Sequence, residues 1–77
     1  MVGDGMERVE LNLTEDFITL GKLLKYADII SSGGMAKWYL SEFPVYVNDE
    51  LENRRGKKLF VGDYIEFPNE DILIHLI

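Results

Sequence analysis

The stretch TLGKLLKYADIISSGGMAKWYLSEFP, residues 19–44, decides the fold. Leu20, Leu23, Leu24 and Ala27 fall at i, i+3, i+4 and i+7, which is one apolar stripe of a short helix. Thr19 stands where its N-cap belongs, and Lys22 and Lys25 point away from the stripe. Ser31-Ser32-Gly33-Gly34 is the strongest punctuation in the chain and opens a second helix. There Met35, Ala36, Tyr39, Leu40 and Phe43 form the apolar face, Lys37 and Ser41 lie opposite, and Trp38 sits at the edge. Pro44 ends it, because proline has no N–H to donate and disfavours helical geometry at Phe43. Two short helices joined by a glycine-bearing turn follow from the spacing alone.

Outward from this pair the period changes to two. Val9, Leu11 and Leu13 alternate with Arg8, Glu10, Asn12 and Thr14, the pattern of a half-buried strand over 7–14. After the helices, Val45-Tyr46-Val47 reads as a strand, Asn48-Asp49-Glu50 as its turn and Leu51 to Asn53 as the return. Arg54 to Lys58 forms an exposed loop, Leu59-Phe60-Val61 approaches the sheet, and Gly62-Asp63 turns into a strand at Tyr64–Phe67. Pro68 to Asp71 links to a β-rich end, Ile72–Ile77, placed to pair with 7–13. The predicted order is β-α-α-β-β-β-β: an α+β domain with a helix-turn-helix-like pair packed on a small, mostly antiparallel sheet.

Length and charge bound what such a domain does. Seventy-seven residues suit one domain, and 47% hydrophobic content suits a folded one. No apolar run approaches the roughly 20 residues that span a bilayer, and the first six residues have neither the basic nor the apolar region of a secretory leader. With no cysteine, disulfides and thiolate metal sites are excluded, and a cytoplasmic location is expected without membrane partners. The single histidine, His75, has no nucleophile or second ligand spaced to serve it, so neither a catalytic nor a metal site is expected, nor a cofactor. Gly33-Gly34 lacks the spacing to lysine and hydroxyl that a phosphate-binding P-loop needs.

The net charge is −6, but its layout is uneven. Residues 1–16 carry net −4 and residues 68–77 carry −2, whereas 17–67 balance to zero. Within that balanced middle, Arg54-Arg55-Gly56-Lys57-Lys58 packs four cations into five residues. Together with Lys22, Lys25 and Lys37 on the outer helix faces, this run outlines a cationic surface of the kind that holds phosphate backbones. Trp38, beside Lys37, is an aromatic on which an unpaired base can stack.

The chain also resembles a known family. Gly33-Gly34-Met35-Ala36-Lys37, Val45-Tyr46-Val47-Asn48, Glu52-Asn53-Arg54-Arg55-Gly56-Lys57-Lys58-Leu59 and Gly62-Asp63 are similar to the RNA-binding domain of the ribosomal protein S-four type, the αL motif. The likeness spans about Thr19 to Phe67 and is strongest to the small stand-alone bacterial members, the YaaA type. It departs from the family pattern at Thr19 and Gly21, where Arg and Asp are usual, and at Phe43 and Asp49, where Gly is common. The resemblance implies a non-catalytic domain that binds structured RNA, ribosomal or transfer RNA, and acts on the ribosome. The implied organisation is a flexible segment 1–6 and one RNA-binding domain over 7–77, with its core at 19–67. Its binding face would comprise Lys22, Lys25, Ser32, Lys37, Arg54, Arg55, Lys57 and Lys58, to which the reading of the residues themselves adds Trp38.

Two other readings fit parts of the chain. A sulfur-carrier β-grasp domain shares the Val-x-Val-Asn hairpin, but Leu76-Ile77 replaces the terminal Gly-Gly that such chemistry activates. A protein-interaction module, whose basic loop meets an acidic partner, is the alternative reading of the charge map. The oligomeric state is open, and an apolar C-terminal edge strand at 72–77 would permit an edge-to-edge dimer.

Overall fold

The computed structural model describes residues 6–77. The expected flexible segment 1–6 therefore lies, apart from Met6, outside the described residues. Strand β1 (Glu7–Leu11) leads through 12–17 to a two-residue strand β2 (Ile18–Thr19), then helix α1 (Leu20–Tyr26). A 3-10 turn (Gly33–Met35) precedes helix α2 (Ala36–Glu42). Strands β3 (Tyr46–Val47), β4 (Glu50–Leu51), β5 (Lys58–Leu59), β6 (Tyr64–Phe67) and β7 (Ile72–Leu76) complete the order. The main sheet runs β1-β7-β6-β3-β4, and β2 and β5 pair separately. All pairings are antiparallel except β1 with β7, where Glu7 faces Ile72 and Leu11 faces Leu76. This is the expected α+β architecture.

The helix stripes close over the sheet. Leu20, Leu23 and Leu24 of α1 and Ala36, Tyr39 and Leu40 of α2 are buried against Val45, Val47, Leu59, Ile65, Phe67, Ile74 and Leu76. Truncating one of these leucines removes about 2–5 kcal/mol by the usual cavity arithmetic, a large share of the stability of so small a domain. Thr19 Oγ1 accepts from the Lys22 N–H at 3.4 Å, as an N-cap should. At the other end, Asp28 takes a left-handed conformation (φ 61°). The Asp28 N–H then donates to the Lys25 carbonyl and the Ile29 N–H to the Leu24 carbonyl, which is a Schellman closure without glycine. Where Ser31 to Gly34 were expected to open α2 directly, the 3-10 turn intervenes and α2 begins at Ala36.

The hairpin turn is tighter than the sequence suggests. Asn48 and Asp49 both have positive φ (51° and 70°), the two-residue turn whose twist matches paired strands, and Glu50 already belongs to β4. Asn48 and Asp63 lock this hairpin to the next. The Asn48 side-chain amide donates to Asp63 Oδ1 at 3.0 Å, and Asn48 Oδ1 accepts from the Tyr64 N–H at 2.9 Å. The Val-x-Val-Asn and Gly-Asp elements thus serve architecture.

One expectation is corrected. The C-terminal segment is not a sheet edge: β7 lies between β1 and β6, and the bonds continue past it, with the Ile77 N–H donating to the Leu11 carbonyl. The pairing with β1 is the expected one, but the other side, which an edge strand would leave free, pairs antiparallel with β6, so 72–77 offers no edge for a dimer. The sheet ends instead at β1 and β4. On the sheet surface, His75 stacks on its cross-strand partner Tyr64, with ring centroids 4.1 Å apart and planes within 3°.

Candidate nucleic-acid interface

The basic loop is fastened to the start of α1 by its backbone. A helix leaves its first N–H groups without intrahelical partners. Here the Leu20 N–H donates to the Lys57 carbonyl at 2.9 Å and the Gly21 N–H to the Arg55 carbonyl at 2.8 Å. The approach is close: a β-carbon at position 21 would stand 3.3 Å from both the Arg55 carbonyl oxygen and Cβ, and 3.6 Å from Ala36 Cβ. Gly21, a departure from the family pattern, is where loop, α1 and α2 converge. The β2–β5 pair, with Thr19 opposite Lys58, extends the same attachment.

A groove of about 710 Å³ opens beside this junction, with Lys22 and Lys25 of α1, Arg55 of the loop and Gly33 of the 3-10 turn along its walls. Glu15, Asp16 and Phe17 line the same groove. Just past the strand expected over 7–14, two carboxylates thus share the groove with the cations. Lys22, Lys25 and Arg55 are all exposed.

The rest of the basic run faces elsewhere. Arg54, Lys57 and Lys58 line a second concavity of about 460 Å³ with Gly56 and Phe60. The five-residue run is thus divided: Arg55 faces α1, and its neighbours face the other way. Arg54 is moreover engaged. Its Nε donates to Glu52 Oε2 at 2.9 Å, a second guanidinium nitrogen donates to Oε1 at 3.3 Å, and its backbone N–H also bonds this carboxylate. Those hydrogen bonds hold the Glu52 carboxyl below its ordinary range. The expected four-cation grip becomes Arg55 on one side and Lys57 and Lys58 on the other.

Lys37, Trp38 and Ser32 line neither concavity. Lys37 is exposed on α2, and Ser32 precedes the 3-10 turn without a side-chain capping bond. Trp38 is half-exposed and meets Tyr39 and Phe43 edge-on, with ring centroids 6.4 and 6.0 Å apart. Beneath it the buried Tyr39 hydroxyl donates to Glu70 at 3.2 Å; burial first, and the Glu70 charge second, push its phenol up to about 12.

Two aromatics escaped the sequence reading. Phe17 and Phe60 are partly exposed, with ring centroids 6.1 Å apart, and Lys58 Nζ lies 4.8 Å from the Phe17 centroid. The signal was available: with Leu59 buried, strand alternation turns Phe60 outward beside the basic run. Among the described residues, no group of three or more His, Cys, Asp or Glu is placed to hold a metal ion, and no helix is long and apolar enough to cross a membrane.

Comparison with known proteins agrees with this construction. The S4 domain family model matches residues 11–75. The chain is also 61% identical, over 56 residues, to the probable ribosome maturation protein RlbA of Bacillus subtilis (strain 168), an alignment covering 73% of this chain and 79% of that one. With a family model over most of its length and a relative of that identity, the chain belongs to the S4 domain family.

Proposed function

We propose that this domain binds structured RNA of the ribosome, without catalysis, and takes part in ribosome maturation in the cytoplasm. The observation that carries the reading is the junction of α1 and the basic loop. Backbone hydrogen bonds from Leu20 and Gly21 hold Arg55 beside Lys22 and Lys25, so three exposed cations from two segments share one groove. Phosphate contacts of this kind supply affinity and register, and their effect depends on the local field, so a net charge of −6 over the whole chain does not oppose them. The similarity to a probable ribosome maturation protein supports the ribosomal target.

Fluorescence anisotropy of the full chain against ribosomal RNA, transfer RNA and duplex DNA tests the reading. Ribosomal RNA is expected to bind most tightly, with affinity falling as salt rises. Equal affinity for all three would remove the structured-RNA assignment. No binding at low salt would favour an acidic protein partner for the basic loop.

A further inference from the structure

We propose that Phe60 is a stacking platform for one unpaired nucleobase, whose flanking phosphates are held by Lys57 and Lys58; this rests on the RNA-binding reading above. The ring is 48% exposed although it follows the fully buried Leu59. Its backbone is fixed on both sides: the Phe60 N–H donates to Asp63 Oδ2 at 2.8 Å, and the Asp63 N–H donates to the Phe60 carbonyl at 3.0 Å. Asp63 is itself bonded to Asn48. Phe17 packs against the ring at 50°, so the platform is braced before anything binds, which lowers the entropic cost of binding.

The surroundings select the occupant. The concavity beside Phe60 is lined by Arg54, Gly56, Lys57 and Lys58, with no carboxylate among them. Lys57, Lys58 and Phe60 also line an adjoining concavity with Glu50, Glu52 and Asp63, of which Glu52 is bonded to Arg54 and Asp63 to Asn48 and Phe60. At Gly56 a β-carbon would meet nothing within 4 Å, so that glycine leaves the loop open to close approach. An apolar protein segment seated here would cover the ring and strip water from the Lys57 and Lys58 ammonium groups. A nucleotide satisfies both, placing its base on the ring and its phosphates on the ammonium groups. A paired base is covered by its neighbours, so the site takes a bulged, looped or terminal one.

The experiment compares an RNA stem carrying one bulged adenosine with the same stem fully paired, titrated by anisotropy. Wild-type protein is expected to prefer the bulged stem by roughly 5- to 150-fold, the span of base–aromatic stacking. Phe60→Leu should abolish that preference while leaving affinity for the paired stem unchanged. Phe60→Tyr and Trp38→Leu should retain it. As a readout that needs no variant, 2-aminopurine at the bulge should lose fluorescence on binding wild-type protein. Binding of both stems with equal affinity, or a preference that survives Phe60→Leu, overturns the platform and leaves RNA binding standing. Loss of the preference in Trp38→Leu alone moves the platform to α2 and also overturns it. Binding of neither stem at low salt overturns both readings.

Discussion

Arg54 and Arg55 are adjacent and chemically identical, yet the structure gives them different work. Arg54 makes two side-chain hydrogen bonds to Glu52, whereas Arg55 lines the groove with Lys22 and Lys25. A guanidinium already committed to a carboxylate has less to offer a phosphate. Arg55→Ala should therefore lower RNA affinity several-fold more than Arg54→Ala, as measured by anisotropy; equal losses would show that the Glu52 pair opens on binding. The pair also has a pH signature. Because Arg54 lowers the Glu52 pKa below its ordinary value of 4.5, the contribution to stability is present above that value. It is lost as pH falls through the lower, folded-state value.

At the scale of elements, the attachment of the basic loop to α1 matters more than either part. Helix propensity favours alanine over glycine by about 1 kcal/mol in a helix interior, so Gly21→Ala should not cost much stability of α1 itself. The added β-carbon, however, would sit 3.3 Å from Arg55 on the neighbouring loop, closer than ordinary van der Waals contact. The expected outcome is a midpoint of thermal unfolding within a few degrees of wild type and a clear fall in RNA affinity. Unchanged affinity would mean that the loop position is irrelevant to binding.

The same scale shows what the sequence made legible. Both helix stripes were readable because Leu20, Leu23, Leu24, Ala36, Tyr39 and Leu40 repeat at helical spacing and all are buried. Residues 7–13 and 72–77 were matched because each carries a half-buried pattern needing a partner. What period-two alternation cannot supply is order across the sheet, so β7 passed for an edge although it is flanked on both sides. β2 was missed because two residues are too few to show a period. The cations were found by counting. Their division into two concavities was hidden, because the direction of each side chain depends on the turn at 54–57. Asp28 and Asp49 concealed left-handed positions where glycine would have announced them.

For the whole molecule, the question is how an acidic chain presents a basic face. The negative charge is concentrated toward the two ends of the sequence, net −4 over 1–16 and −2 over 68–77, while the cations of α1 and the basic loop come from the balanced middle and meet at the Leu20–Lys57 and Gly21–Arg55 hydrogen bonds. Glu15 and Asp16 are the exception, lining the groove with the cations. The proposed binding face depends on Lys22, Lys25 and Arg55 acting together on RNA phosphates. It is tested most directly by the slope of log affinity against log salt for the preferred RNA, wild type against Lys22→Ala/Lys25→Ala/Arg55→Ala. Each phosphate contact removed should flatten that slope by roughly 0.7 to 0.9, so the triple variant is expected to show a slope shallower by about 2 to 3, with weaker binding at low salt. An unchanged slope with unchanged affinity would contradict it.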